Sequence, residues 1–277
     1  MIRLLHRTPK FSIITICFND AVGLASTIRS VGNQTHRDYQ YIVQDGGSSD
    51  ETPEIVRGFR DWVDVYNSQA DHGIYDAMNR AVESATGEFT IFMNAADLFA
   101  ENDTLEKIAN ELREGDEIVH GAAIQLETGH NHVHKPLNDY AFGMVFDHQA
   151  VVARTGLLRQ FPFDSGLKVS GDLDFLARCR INDVRFRPIN VSIPRKPYFV
   201  GASSDYLDRF RERAPILMKY FSQEYPDIKH RLKNELLEYV EEKFGSSSLS
   251  ERFSSLKISQ IVEEIDVINN RLQSVIA

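Results

Sequence analysis

The sequence predicts an α/β protein: a mostly parallel sheet flanked by helices over residues 1–204, then a helical extension over residues 205–277. Three observations carry this. Short apolar runs such as Phe11–Phe18 and Phe89–Met93 have the composition of strands buried in a parallel sheet. Between such runs lie segments with apolar residues at 3 and 4 spacings, so strand and helix alternate at the distances of βαβ units. From about Asp205 the chain becomes helical and highly charged.

Residues 1–10 read as a polar lead, and Phe11–Phe18 as the first, central strand. Asn19-Asp20 caps a helix running to about Gln34, with Leu24, Ile28 and Val31 on its inner face. Tyr39–Val43 is a second strand, followed by the loop Gln44–Asp50. Thr52–Arg60 is the next helix and Val63–Asn67 a third strand. In the stretch Ser68–Phe99, Asp71, His72 and Gly73 form a polar loop before a helix from Tyr75 to Thr86. Ala77, Met78, Ala81, Val82 and Ala85 share one face of that helix, and Gly87 stands as its stop. The strand Phe89–Met93 ends in Asn94-Ala95-Ala96-Asp97, where an open α/β sheet binds its ligands.

Thr104–Arg113 follows as a helix and Glu117–Leu126 as a strand. His130, His132 and His134 then alternate along a hairpin or loop. A metal set is one reading of them. With no cysteine or paired carboxylate near in sequence, a solvent-facing strand is the better one. His148–Val152 reads as a strand returning to the sheet, Ser170–Asp174 as the cap of a helix containing Cys179, and Val184–Ile193 as the last strand before a loop marked by Pro194 and Pro197. Beyond a hinge at Ser246–Ser248, the residues Ile258, Ile261, Ile265, Ile268, Leu272 and Val275 make a heptad seam. That seam suits either a homodimer through the C-terminal helices or packing on its own domain.

Bulk composition narrows the function. The 277 residues are 42% hydrophobic and 26% charged, as in globular proteins that live in water. A net charge of −9 argues against a nucleic-acid partner. Two cysteines, Cys17 and Cys179, fall inside apolar segments and read as reduced core thiols, which favours a cytoplasmic location. No apolar run reaches the ~18 residues of a transmembrane helix. Arg209, Arg211, Arg213 and Lys219 could meet anionic lipid, but Asp208 and Glu212 interleave them, so a solvated helix face is the default. Trp62 and the aromatic residues from Tyr206 to Tyr225 read as core rather than as sugar platforms.

Three carboxylates stand after strands or at a helix start: Asp45, Asp97 and Asp172. Asp45, with Gly46 and Gly47 behind it, can accept hydrogen bonds from a base N–H or a ribose hydroxyl. Asp97 offers hard oxygen to Mg²⁺ or Mn²⁺. Asp172 suits either a general base or a helix cap. In order, SIITICFN, QDGGSSDET, ADHGIYDAMNRA, FMNAAD and GDLD resemble the family 2 glycosyltransferases of the GT-A fold over residues 11–195, in the branch that builds bacterial exopolysaccharide and lipopolysaccharide.

That resemblance implies a nucleotide-sugar site. Asn19 would end the first strand beside the nucleotide, and Asp45 would contact the base, commonly uracil. Asp71 and Gly73 would line the donor pocket, Asn94 to Asp97 would take the place of the DxD metal motif, Asp172 would be the catalytic base and His148 would lie on the acceptor side. A divalent cation, Mn²⁺ or Mg²⁺, would be the cofactor. The acceptor would be a saccharide or polyprenyl-linked, and with it would come a peripheral membrane association. The chain departs from the family at three places. Asn94 and Ala96 thin the acidic cluster to one carboxylate, Gly46 replaces a second aspartate, and Gly171 replaces one of an acidic pair before the base. A nucleotidyltransferase is the rival enzyme, but FNDAVGLAST after the first strand has one glycine and no basic residue. The rival from another class is an inactive nucleotide-sugar-binding scaffold, which the thinned motif motivates and which Asp45, Asp97 and Asp172 oppose.

Overall fold

The computed structural model describes residues 8–125, 131–132, 148–196, 206–245 and 247–276. The chain divides into two compact units, one ending at residue 204 and a helical one beginning at residue 205.

The first unit is built on β1 (Phe11–Cys17), all seven of whose residues are buried. It pairs in parallel with β2 (Tyr39–Asp45) on one side and β4 (Phe89–Phe92) on the other, and β2 pairs in parallel with β3 (Val65–Ser68). The helices α1 (Ala21–Gly32), α2 (Thr52–Gly58) and α3 (Ile74–Ser84) make the crossovers. A strand covered on both faces has no solvated side, which is why FSIITIC is apolar almost throughout. Its one central polar residue, Thr15, is satisfied by donating to the Met93 carbonyl (2.7 Å) and sharing a hydrogen bond with Tyr41 Oη (2.9 Å). Phe11, Ile13, Leu24, Ile28, Val31, Ile91 and Ile108 meet in one core.

Past β4 the sheet turns antiparallel. β8 (Val151–Arg154) runs against β4, and β6 (Ile118–Gln125) runs against β8. β9 (Phe186–Lys196) is parallel to β6, the two-residue β5 (Leu98–Phe99) closes on β9, and β7 (Asn131–His132) pairs with β6. Thr27 and Ser30 on α1, with Gln34 just past its end, hold the chain between β4 and α4 (Thr104–Glu111) in place. Thr27 Oγ1 donates to the Asp97 carbonyl (2.8 Å), Phe99 N–H to Ser30 Oγ (2.8 Å) and Gln34 Nε2 to the Glu101 carbonyl (2.8 Å). The helices α5 (Thr155–Gln160) and α6 (Gly171–Ile181) complete the unit.

Four expectations are corrected. Residues 148–150 are a 3₁₀ turn rather than the start of a strand, so β8 begins at Val151. β9 runs through both Pro188 and Pro194, not ending at Ile193. Pro188 sits next to one register shift against β6 and Pro194 lies within another, the irregular settings in which a sheet tolerates a missing N–H. Gly87 does not terminate α3 through a left-handed cap, because Ala85 in extended conformation already ends the helix. It is needed where the chain crosses β1, since a Cβ there would lie 2.3 Å from the Ser12 nitrogen. Cys17 and Cys179 are buried free thiols, and burial pushes them up to about 11 and about 12, as expected of core positions. Trp62 is not core: it is 41% exposed and lies over the backbone of Gly32. His130 and His134 lie outside the described residues, as do Ser246 and Pro197.

The second unit comprises α7 (Tyr206–Phe221), α8 (Ile228–Phe244), α9 (Ser247–Phe253) and α10 (Ile258–Ile276). Leu207, Phe210, Ala214, Leu217 and Phe221 form a buried stripe on α7, with Ile228, Leu232, Leu236 and Val240 on α8. Tyr206 stacks on Tyr239 with ring centres 4.2 Å apart. In the heptad seam Ile261 and Ile265 are fully buried inside this unit, so that part packs on its own helices; the side chains of Leu272 and Val275 lie outside the described residues. Arg211 pairs with Asp208 and Asp266, and Arg213 with Glu235, as a solvated, self-neutralised helix face would. Among the described residues no helix is long and apolar enough to cross a membrane.

Candidate active site

Parallel pairing brings the carboxyl ends of β1 to β4 to one edge, and the expected site residues gather there in two groups.

The first group surrounds the loop after β2. Asp45 is fully buried, and both its oxygens are engaged within the protein. Oδ1 accepts from Ser48 N–H (3.0 Å) and Ser48 Oγ (2.5 Å), while Oδ2 accepts from Tyr66 Oη (3.0 Å) and Ser68 Oγ (2.6 Å). Burial works to raise this carboxyl, but the bonds from Ser48, Ser68 and Tyr66 outweigh it and hold the group below the usual carboxylate range. Asn19 clasps the same turn: its N–H donates to Ser48 Oγ (2.8 Å), and its Oδ1 accepts from Ser49 N–H (2.8 Å). A positive φ of 49° at Asn19 permits this grip, in the region that asparagine enters more readily than most residues.

Asp71 lies against Gly46 and accepts from Gly73 N–H (2.9 Å). Gly73, at φ 122°, opens α3 in a conformation closed to other residues. The rest of DHGIYDAMNRA is bracing. Asp76 accepts from His72 N–H (3.0 Å) and pairs with Arg80 (2.8 Å), and Arg80 donates to the Ala70 carbonyl (2.9 Å). Asn79 exchanges two hydrogen bonds with the backbone of Phe163. Phe18, 63% exposed at the end of β1 and next to Gly46, is a ring on the surface here that sequence reading placed inside the strand.

The second group is centred on Asp172, in the first turn of α6 and 8% exposed. Its Oδ1 accepts from Leu173 N–H (2.8 Å) and from Tyr75 Oη (3.3 Å), and its Oδ2 is 3.0 Å from His148 Nδ1. Burial first, and then the Asp172 charge, push the Tyr75 hydroxyl far above its ordinary value, so it stays a donor. Apolar side chains surround this carboxylate, among them Met78, Phe92, Phe163 and Phe175. The other ring nitrogen of His148 faces Asn94 Nδ2 at 3.3 Å, and the neighbouring Gln149 donates to Asp97 Oδ2 (3.1 Å). Consecutive side chains of a strand point to opposite faces. The 3₁₀ turn instead lets His148 and Gln149 both reach the Asn94–Asp97 segment.

Tyr75 and Gln149 are the site residues that sequence reading missed. Tyr75 had one indirect signal, Gly171. A Cβ on Gly171 would sit 2.7–2.8 Å from three carbons of the Tyr75 ring, so the ring occupies the space that the family's acidic residue would need. In the acidic segment Ala96 adopts a positive φ of 71°, which costs a residue with a Cβ about 1–2 kcal/mol and turns Asp97 N–H onto the Asn94 carbonyl (3.0 Å).

A divalent cation fits these residues in a limited way. Among the described residues no group of three or more His, Cys, Asp or Glu side chains is placed to hold a metal. Asn94 Oδ1, however, is buried with no hydrogen-bond partner among the described residues, and Asp97, three residues on, is 6% exposed. One carboxylate plus one amide oxygen suits an ion that takes its remaining ligands from substrate phosphates, as Mg²⁺ and Mn²⁺ do.

The parallel strands gather a lone carboxylate and an acidic turn at the ligand edge of the sheet, and comparison with known proteins gives the class of protein that carries them. A family model described as "Glycosyl transferase family 2" matches residues 12–165. A PGL/p-HBAD biosynthesis glycosyltransferase of Mycobacterium bovis is 32% identical over 227 residues, covering 75% of this chain and 85% of the relative. The GalNAc(5)-diNAcBac-PP-undecaprenol beta-1,3-glucosyltransferase of Campylobacter jejuni is 34% identical over 109 residues, 37% of this chain and 35% of that one. Among solved structures, S. aureus TarS 1-349 in complex with UDP superposes with a TM-score of 0.64 at 19% identity, covering 91% of this chain and 76% of that one. The mannosyltransferase PcManGT from Pyrobaculum calidifontis, in complex with GDP-Man and Mn²⁺, gives 0.62 at 16% identity over 96% and 81%. The chain belongs to glycosyl transferase family 2, has the GT-A fold, and is a glycosyltransferase.

Proposed function

We propose that the chain is an inverting glycosyltransferase, moving a sugar from a nucleoside diphosphate donor, a UDP-sugar first among them, to a saccharide or polyprenyl-linked acceptor in bacterial surface polysaccharide biosynthesis. The observation that carries this reading is the link from Asp172 through the His148–Gln149 turn to Asn94 and Asp97. One short turn joins a base to the segment that would face the diphosphate. In an inverting transfer the acceptor oxygen attacks the anomeric carbon as its proton passes to a carboxylate, and the bond from that carbon to the phosphate oxygen breaks. Asp172 takes the proton. Its three protein donors orient it, and apolar side chains line the cavity that it shares with His148.

Asp97 and Asn94 Oδ1 would hold a divalent cation, whose chemistry would be to offset negative charge on a diphosphate leaving group. Phe18, Asn19, Asp71 and Gly73 form the nucleotide wall, and Asp45 supports it by fixing the Ser48 turn. The undecaprenol-linked acceptor named for the C. jejuni enzyme supports a polyprenyl-linked acceptor, and UDP in TarS supports the donor class. Residues 1–204 are the catalytic domain and 205–277 a helical extension. The enzyme works on the cytoplasmic side, and its acceptor would draw it to the membrane surface; sedimentation with anionic liposomes at low salt tests that.

The deciding experiment is calorimetry with UDP, GDP, CDP and dTDP, with and without Mn²⁺. The expected result is one diphosphate bound tightly only with metal, with that dependence lost in Asp97→Ala. No diphosphate binding under any condition would refute the reading.

A further inference from the structure

Asp172, His148 and Asn94 form a chain in which chemistry dictates where the hydrogens lie. The Asp172 carboxylate only accepts, so His148 Nδ1, 3.0 Å from Oδ2, carries a proton. In the neutral ring Nε2 is then a lone pair, and the group opposite it at 3.3 Å must donate. Asn94 Nδ2 does. An aspartate at position 94 would only accept; it would call for a proton on Nε2 and leave the imidazole between two carboxylates. The amide that donates to His148 through Nδ2 keeps Oδ1 turned away, buried and without a hydrogen-bond partner among the described residues, where a donor hydroxyl or a cation can use it.

We propose that Asn94 selects the tautomer of His148, and that His148, so held, is a positioning residue that fixes the Asp172 carboxylate for proton abstraction. The departure from an acidic residue at the first position of the motif thereby acquires a function. Part of the cation's ligand set is exchanged for control over the base. The inference rests on the reading of Asp172 as that base.

Two measurements test it. The first is a long-range ¹H–¹⁵N spectrum of the histidine-labelled full chain at about pH 8, above the ordinary histidine range. The signals of His148 are identified by their loss in His148→Asn. A protonated Nδ1 with a bare Nε2 in the wild type, and a proton gained at Nε2 in Asn94→Asp, are expected. An Nε2–H tautomer in the wild type would overturn the proposal whatever the activity. The second is the release of nucleoside diphosphate from whichever of UDP-glucose, UDP-GlcNAc and GDP-mannose the wild type hydrolyses fastest, with melting curves to check folding.

His148→Ala and His148→Gln should lower kcat by about 10–100-fold, the usual effect of losing an orienting partner, with KM for the donor unchanged. His148→Asn can place an amide N–H where Nδ1–H stood, and should restore most of the rate. If His148→Asn is as slow as His148→Ala, the imidazole carries the proton itself and the positioning role is wrong. A loss confined to KM would also overturn it. A wild type that releases no diphosphate from any of the three donors overturns the proposed donor class and the positioning role with it, while the tautomer is still decided by the spectrum alone.

Discussion

Gly171→Ala is a change of one methyl group whose consequence follows from the packing of Tyr75. The new Cβ would lie 2.7, 2.8 and 2.8 Å from three ring carbons, closer than such contacts are found. The ring cannot swing aside: Tyr75 is 4% exposed, stacks on Phe163 at 5.7 Å and is tied to Asp172 through its hydroxyl. Overpacking against a rigid group costs about 1–3 kcal/mol, and three simultaneous overlaps put this site near the top of that range. Replacing glycine by alanine in a helix returns about 0.5–1 kcal/mol. The net loss is then about 2 kcal/mol, or roughly 4–8 °C in melting temperature for a domain of this size. Thermal melts of Gly171→Ala, Tyr75→Ala and the double variant measure it. With the ring removed, Gly171→Ala should be neutral or slightly stabilising. An equal penalty in both backgrounds, or stabilisation in the wild type, would refute the idea that the ring is why glycine stands here.

Asp172→Asn keeps the shape of the base but removes its proton affinity, so kcat should fall by about 10²–10⁴-fold with nucleoside diphosphate affinity unchanged in calorimetry. Ala96→Gly relieves the positive φ of the acidic turn and should raise the melting temperature by about 2–4 °C, corresponding to about 1 kcal/mol; a lower value would show that the methyl group contributes packing. Asp45 is held below its usual range by Ser48, Ser68 and Tyr66 against the opposing effect of burial. Its stabilisation is therefore complete above the unfolded carboxylate value of about 4, and is lost as pH falls below that through the folded value. Asp45→Asn should be less stable at neutral pH, with the difference from wild type narrowing toward pH 3 in melts across that range.

Much of this molecule is written in local pattern. The apolar runs at Phe11 and Phe89 and the 3–4 spacing of Ala77, Met78, Ala81 and Val82 depend only on which faces are buried, so the βαβ half and its ligand edge follow from sequence alone. The order of the motifs points to the family; Asp97 stands out because it follows a buried strand, where such sheets bind ligands, Asp172 because it opens a helix, and Asn94 takes its role from the resemblance. Tertiary structure decided what those residues touch. Tyr75 and Asp172 are 97 residues apart in the chain, and Asn94 and His148 54 apart. No local signal tells a helix-start tyrosine that its ring will fill the place of a missing side chain.

The same holds for Asp45, which sequence reading assigns to base contact. Its four hydrogen bonds come from Ser48, Tyr66 and Ser68, and only parallel pairing of β2 with β3 brings the last two within reach. The turn at His148 was read as strand because its composition is strand-like. Its geometry is set instead by two side chains drawn to the same acidic segment, a non-local demand that overrides local preference. Sequence determined the elements and the chemistry available, because propensity and burial pattern are local. Which groups face one another was decided only when the sheet closed, because hydrogen bonds form between neighbours in space.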